Sequence, residues 1–269
     1  MAGELVVDKQ DKIAHIQVNR PKQMNSLNPA LMAQLSAAFR EADQDDGIKV
    51  IVLSGVGSNF GAGYDLKFDW TGHFGGPAPM NVRNMLRACV EFEFTPWNCD
   101  KPVIAMVRGY CLAGSCELAM MCCITFASET SKFGEPEIRF SNSPPALVMP
   151  WIVGLKKARE LLYTGDMIDA QEAHRIGMVN QVFPDGKLEE ETFRYARRAA
   201  AISLEGLKTT KTSIKRAAEI AGFQQAIESG IEIGTMLDTT ETEVARKFDE
   251  VQRKEGLGAA IRWRERQFE

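Results

Sequence analysis

Apolar positions along the first two-thirds of the chain come in two alternating patterns. Short unbroken runs at residues 50–53 and 103–107 read as strands buried on both faces, the pattern of a parallel sheet. Residues 13–18 and 124–127 are further strand candidates. Between them, apolar residues recur every three or four positions. Helices are expected to start at Asn28-Pro29, near Met80, at Gly114 and near Lys156, the first marked by a capping side chain followed by proline. After about Asp185 the strand pattern stops, and residues 187–202, 208–220, 223–237 and 241–253 all read as helices. Residues 72–79, rich in glycine and proline, read as a flexible, lid-like loop. The periodicity predicts an α/β unit followed by a helical region.

Two strand ends carry candidate chemistry. The strand at 103–107 runs into the small-residue turn of Gly109-Tyr110-Cys111-Leu112-Ala113-Gly114 and then into an apolar helix. The first N–H groups of a helix have no partner inside it. Three residues past Gly114 stands Glu117, and a second carboxylate, Glu137, follows Phe133-Gly134-Glu135-Pro136. Free N–H donors beside two carboxylates suit chemistry on a carbonyl compound: the donors hold a developing oxyanion and the carboxylates move protons. The strand at 50–53 likewise leads to Asn59-Phe60-Gly61-Ala62-Gly63-Tyr64-Asp65-Leu66, where glycine allows a sharp turn and close approach of a ligand to the main chain, including an N–H near Tyr64. Each feature also has an ordinary explanation. An acid at the third helical position caps the helix, and Glu137 alone would be a solvated loop carboxylate.

Composition narrows the partners. The chain has 269 residues, 45% of them hydrophobic, enough for one large domain with an appendage. A net charge of −4 offers no general attraction to nucleic acid or to an anionic membrane. There is no run of 18 apolar residues and no signal-peptide apolar region at the start, so a cytoplasmic protein is expected. The six cysteines lack metal-ligand spacing and are expected to be buried reduced thiols; no metal is expected. His15, His73 and His174 are dispersed; only His73, in the lid-like loop, is placed to touch a substrate.

In this order the motifs resemble those of the crotonase (enoyl-CoA hydratase/isomerase) superfamily. Asn19-Arg20-Pro21-Lys22-Gln23-Met24-Asn25-Ser26-Leu27 is similar to the family's CoA-contacting turn, Phe60 to Asp65 to its first oxyanion loop, Gly109 to Cys122 to its second, and Phe133 to Glu137 to the segment bearing its second catalytic glutamate. The likeness continues through Leu162-Tyr163-Thr164-Gly165 and residues 170–180. The resemblance implies an α/β fold, a crotonase-like spiral of strand-strand-helix repeats over residues 1–190, with a C-terminal helical trimerisation region over residues 191–269. It implies Glu117 and Glu137 as the catalytic pair, with Glu117 mainly activating water and Glu137 mainly protonating the α-carbon. The backbone N–H groups of Tyr64 and Gly114 would form the oxyanion hole, and Lys22, Met24, Ala62, Asp65 and Leu66 would contact substrate or CoA. No cofactor is implied, since coenzyme A is part of the substrate. The implied partners are an acyl-CoA and further copies of the chain, as a homotrimer or a dimer of trimers. The leading reading is a 2-enoyl-CoA hydratase. The alternatives are a double-bond isomerase and a non-catalytic CoA- or RNA-binding member.

The chain also departs from the family. Ser115 replaces a glycine, and residues 141–151, with Pro144-Pro145 and then Met149 and Trp151, replace a flexible glycine turn near the acyl group. Tyr64 is large where the family is often small, so its side chain is expected to shape the acyl pocket. These departures favour a bulkier or functionalised acyl group over a short straight one. Lys208, Lys211 and Lys215 share a helix face, either as a solvated stripe or as contacts to CoA phosphates.

Overall fold

The computed structural model describes residues 3–268. Its main sheet has six strands, β1 (Leu5–Gln10), β2 (Ile13–Val18), β3 (Val50–Gly55), β4 (Val103–Val107), β6 (Ile124–Ser128) and β9 (Gln181–Phe183), in the order β1-β2-β3-β4-β6-β9. A second sheet joins β5 (Tyr110–Leu112), β7 (Lys132–Gly134) and β8 (Ile168–Asp169). β1 and β2 form an antiparallel hairpin, and the remaining pairs of the main sheet are parallel. The hairpin turns on Asp11 and Lys12, both at positive φ, as a two-residue turn matched to strand twist requires.

The unbroken apolar runs follow from burial on both sides of the sheet. Ile51 and Leu53 face one core with Val103, Ala105 and Val107. Val50 and Val52 face the other with Ile104 and Met106, and the helix Leu188–Ala200 covers it through Leu188, Ala196 and Ala200. That helix runs through residue 190 and packs on the sheet rather than standing apart from it. On the first face the helix Pro29–Gln44, capped by Asn28, buries Leu31, Leu35 and Phe39 completely. Each such side chain contributes about 1.5–3 kcal/mol.

Helices start at Pro29, Pro79, Gly114 and Leu155, within a residue of expectation. The C-terminal part holds Leu188–Ala200, Leu204–Ile220, Phe223–Asp238 and Glu243–Glu255, plus a fifth helix, Leu257–Glu265, set off by Gly256 at φ 86°. The loop at 72–79 is partly ordered: its start belongs to a single helical turn, Trp70–His73, and its end to the helix Pro79–Glu93. The lysine stripe has a use that neither reading anticipated. Lys211 Nζ donates to the carbonyls of Pro96 and Lys101, Lys215 Nζ donates to Asn98 Oδ1, and Lys208 lies 3.6 Å from Asp100. The stripe therefore clamps the helix Leu204–Ile220 onto residues 95–101. Among the described residues no helix is long and apolar enough to cross a membrane.

The parallel strands β2, β3 and β4 all end on the same side of the sheet, and their following loops are stitched together there. Isolated bridges link Leu27 to Tyr64 and Gly61 to Cys111. Asn25 holds the first loop to the second: 1% exposed and at φ 56°, it donates from Nδ2 to the carbonyls of Val56 and Asn59 and accepts from Arg20 N–H. Asn25→Ala strands these three groups, each worth about 1–3 kcal/mol when buried without a partner. A loss of about 2–5 kcal/mol of stability in urea unfolding is expected; a change under about 0.5 kcal/mol, the usual surface value, would show that the loop does not depend on Asn25.

Candidate active site

Local pairing sets the direction of two backbone N–H groups. Leu27 N–H donates to Gly63 O at 2.8 Å and Asp65 N–H donates to Leu27 O at 2.7 Å. In a parallel bridge of this kind the central residue, Tyr64, turns its own N–H to the opposite side. On the neighbouring loop Ala113 N–H donates to Gly134 O, and Ala113 adopts φ 55°, ψ −141°, a costly conformation for a residue with a side chain. It caps the helix Gly114–Met120, whose first N–H belongs to Gly114. Among the described residues neither the Tyr64 nor the Gly114 N–H has a hydrogen-bond acceptor. Ser115 ties the two loops together, its Oγ accepting from Gly63 N–H at 3.1 Å. The fit leaves no room for change: a Cβ on Gly61 would sit 2.3 Å from Ser115 Oγ, and one on Gly63 would sit 2.3 Å from the Ala113 Cβ. The hydroxyl at 115 is thus a structural link between the two loops.

Four buried carboxyls gather beside these loops. Glu117, fully buried, accepts from Ala146 N–H at 2.7 Å through Oε1 and has no donor for Oε2. Pro144 and Pro145 precede Ala146, so the stiff segment delivers its first available N–H to this carboxyl. Glu137 lies in the short 3-10 helix Pro136–Phe140, with neither oxygen hydrogen-bonded. Glu135, just before it, is equally unpartnered. Glu93, the last residue of the helix Pro79–Glu93, is fully buried and accepts the Tyr64 hydroxyl through Oε1. Burial raises the proton affinity of all four. Neighbouring carboxyls add to the rise at Glu117 and Glu135. For Glu93 the Tyr64 hydroxyl offsets part of it. Glu137 is pushed up to about 7 by burial and by the charge of Asp238, against the opposing guanidinium of Arg264. Arg264 belongs to the C-terminal helix Leu257–Glu265 and lies 3.7 Å over the Phe140 ring, so the end of the chain bears on this carboxyl.

Residues 8–255 match the model of the enoyl-CoA hydratase/isomerase family. The chain belongs to the enoyl-CoA hydratase/isomerase family. It is 36% identical over 223 residues to a probable enoyl-CoA hydratase of Rhizobium meliloti (strain 1021), covering 80% of this chain and 82% of that protein. It is 32% identical over 233 residues to the crotonyl-CoA hydratase of Syntrophomonas wolfei, covering 85% and 86% of the two chains. The crystal structure of an enoyl-CoA hydratase/isomerase from Xanthobacter autotrophicus Py2 superposes with a TM-score of 0.95 over 100% of both chains, at 37% identity.

In this family member the sequence-derived residues divide into three groups. Glu117, Glu137, Tyr64 and Gly114 come together around the stitched loops. Lys22, Met24 and Leu66 are exposed at the rim, and Ala62 is held to Met24 by its N–H. Asp65 is already engaged: it accepts from Lys67 N–H and pairs with Arg20 at 3.1 Å, so its carboxylate orders the turn. Trp151 is surface-facing, packed edge-on against Phe223 beside Trp97, whereas Met149 is fully buried. Tyr64 does more than the sequence suggested, because its hydroxyl reaches Glu93 and its ring meets Trp70 edge-on. Of the histidines, His73 meets Phe68 and Phe74 edge-on, His15 bonds Ser54 Oγ, and His174 faces the Val179 carbonyl. Five cysteines are buried and Cys123 is exposed, all unpaired.

Glu93 was not singled out from the sequence. The available signal was positional: Val82, Leu86 and Cys89 form the buried stripe of its helix, and Glu93 continues that stripe with an acid.

A carboxyl whose proton affinity rises on folding keeps a proton that the unfolded chain has already released. For Glu137 this window runs from its ordinary 4.5 to about 7, and within it stability falls as pH rises. Urea unfolding across about pH 5–7 is expected to show that fall, and Glu137→Gln to make it shallower. Equal slopes in the two proteins would remove Glu137 as a source.

Proposed function

We propose that this chain hydrates a 2-enoyl-CoA thioester. The observation that carries the reading is the pair of backbone N–H groups, at Tyr64 and Gly114, that lack internal acceptors while lying beside the buried carboxyls of Glu117 and Glu137. The thioester oxygen accepts from both N–H groups. Negative charge grows on it as the enolate forms, so the two donors stabilise the transition state more than the ground state. Each such donor is typically worth about 10²–10³ in rate. Glu117 takes the proton of the attacking water, and Glu137 supplies the proton to the α-carbon. A proton affinity near neutrality, about 7 at Glu137, suits a group that must both give and regain a proton. The exposed side chains of Lys22, Met24 and Leu66, with half-buried Ala62 beside them, take the CoA portion. An aromatic ring fixed beside the reacting carbonyl, that of Tyr64, favours an acyl group with enough surface to pack on it.

The test is turnover of a panel of enoyl-CoA thioesters in isotopically labelled water. Product carrying solvent oxygen at the β-carbon is expected, with crotonyl-CoA a poorer substrate than branched or aromatic enoyl-CoAs. Glu117→Gln and Glu137→Gln are each expected to lower kcat by about 10²–10⁴ while leaving CoA-ester binding in place. A shifted double bond without added oxygen would assign isomerisation instead. Binding without turnover by the unmodified protein would assign the non-catalytic reading.

We also propose that the helical part mediates self-association into trimers or pairs of trimers. Ile214, Ile220, Ile233 and Met236, on the helices Leu204–Ile220 and Phe223–Asp238, are all largely exposed in the single chain and are available to be covered by a second copy. Light scattering at micromolar concentration is expected to give three or six times the mass of one chain; a stable monomer would overturn this.

A further inference from the structure

Glu93 and Glu117 each have one oxygen occupied and one stranded. Glu93 Oε1 accepts the Tyr64 hydroxyl and Glu117 Oε1 accepts Ala146 N–H, while Glu93 Oε2 and Glu117 Oε2 are buried with no donor. Glu93 Oε1 packs against Gly114, where a Cβ would lie 3.0 Å from it, and Glu117 stands one helical turn beyond Gly114 on the same face, which sets the two carboxyls beside each other. The other titratable groups facing the pair are Tyr64 on the loop after β3, Cys89 on Glu93's own helix, and Glu135 and Glu137 on the segment after β7. These groups are acidic or neutral, so none of them supplies the pair with a compensating cation. Two adjacent buried carboxylates do not both ionise near neutrality, and one proton placed between the stranded oxygens satisfies both.

We infer that Glu93, held by the Tyr64 hydroxyl, is a positioning residue that shares a single proton with Glu117 and thereby governs when Glu117 acts as a base. The inference rests on the reading of Glu117 as the water-activating carboxyl and adds to it the group that receives its proton. At rest the proton is on Glu117 and is donated to Glu93, whose carboxylate also accepts from Tyr64. For catalysis the Glu117 O–H bond breaks and an O–H bond forms on Glu93. Glu117 becomes the carboxylate, and the pair keeps a single negative charge throughout. No electrons move and no co-reactant enters. The transfer spares the buried site a second charge at the moment a base is needed.

The packing restricts this arrangement to a glycine at 114. A Cβ there would lie 2.3 Å from Tyr64 Cε2 and 3.0 Å from Glu93 Oε1. The residue that offers one oxyanion N–H thus also leaves room for the Tyr64–Glu93 contact, and Tyr64 offers the other N–H.

Two measurements test the inference. In the first, kcat is followed against pH for the unmodified enzyme and for Glu93→Gln. Removing the negative neighbour is expected to move the limb belonging to Glu117 to lower pH by about one unit or more, with KM for the CoA ester nearly unchanged. Glu93→Asp, which keeps a carboxyl but draws it back, is expected to fall between the two and also serves if the glutamine variant does not fold. A merely structural Glu93 would lower kcat without moving the limb. In the second, infrared titration of the free protein follows its protonated carboxyls. The absorption of the shared proton is expected to persist to higher pH in the unmodified protein than in Glu93→Gln. Pairwise superposition of the profiles and of the infrared titrations would overturn the shared proton. If no enoyl-CoA is hydrated, the proposed function fails, while the infrared titration still decides the pair.

Discussion

The pairing of Leu27 with Tyr64 is the contact on which the site depends. Leu27 N–H and C=O satisfy the carbonyl of Gly63 and the N–H of Asp65, which leaves the Tyr64 N–H pointing the other way and unpaired. The surrounding contacts hold this unpaired N–H in place. Asn25 locks the Leu27 segment to the loop after β3, Ser115 locks that loop to the next, and Ala113 accepts a strained backbone where the second free N–H begins its helix. The parallel order of β2, β3 and β4 makes this possible, because it delivers three successive loops to one side of the sheet.

The acids obey a second constraint. Glu93, Glu117, Glu135 and Glu137 are all buried, and the cation that bears on them, Arg264, acts on Glu137. Elsewhere in the chain the buried ammonium of Lys101 is satisfied by two carbonyls, those of Ala42 and Asp45. At the acid cluster Glu135, Glu137 and one oxygen each of Glu93 and Glu117 have no such partners among the described residues, and burial instead raises the proton affinity of the carboxyls. Carboxyls raised in this way are suited to proton transfer.

Neighbouring segments divide the support of this cluster. The rigid Pro144-Pro145 segment brings Ala146 N–H to Glu117, while Ser143 N–H is held by Asp238 at the end of the helix Phe223–Asp238. Arg264, from the last helix, stacks on Phe140 close to Glu137. The C-terminal helices therefore contribute to the electrostatics of the site as well as to its cover.

The main strands and most helices were legible because their cause is local or periodic: apolar runs for β3 and β4, a cap and proline before the helix Pro29–Gln44, a glycine turn before Gly114. β1 escaped because it is an exposed edge strand, and β5, β7, β8 and β9 because two or three residues carry no period. Glu117, Glu137, Tyr64 and Gly114 were legible as motifs, since a turn that frees an N–H needs particular small residues at fixed spacing. Glu93 was not: its place on the buried stripe of its helix was the available signal, but that stripe does not say what an acid there meets. Its meaning comes from Tyr64 and Glu117, 29 residues before it in the chain for the first and on a separate helix for the second. The lysine stripe shows the same division: its spacing placed three ammonium groups on one face, but only the packed chain brought the carbonyls of Pro96 and Lys101 within reach. The sequence determined which residues could turn, cap and bury; the tertiary structure decided which polar groups meet, because hydrogen bonding acts over a few ångströms of space and not along the chain.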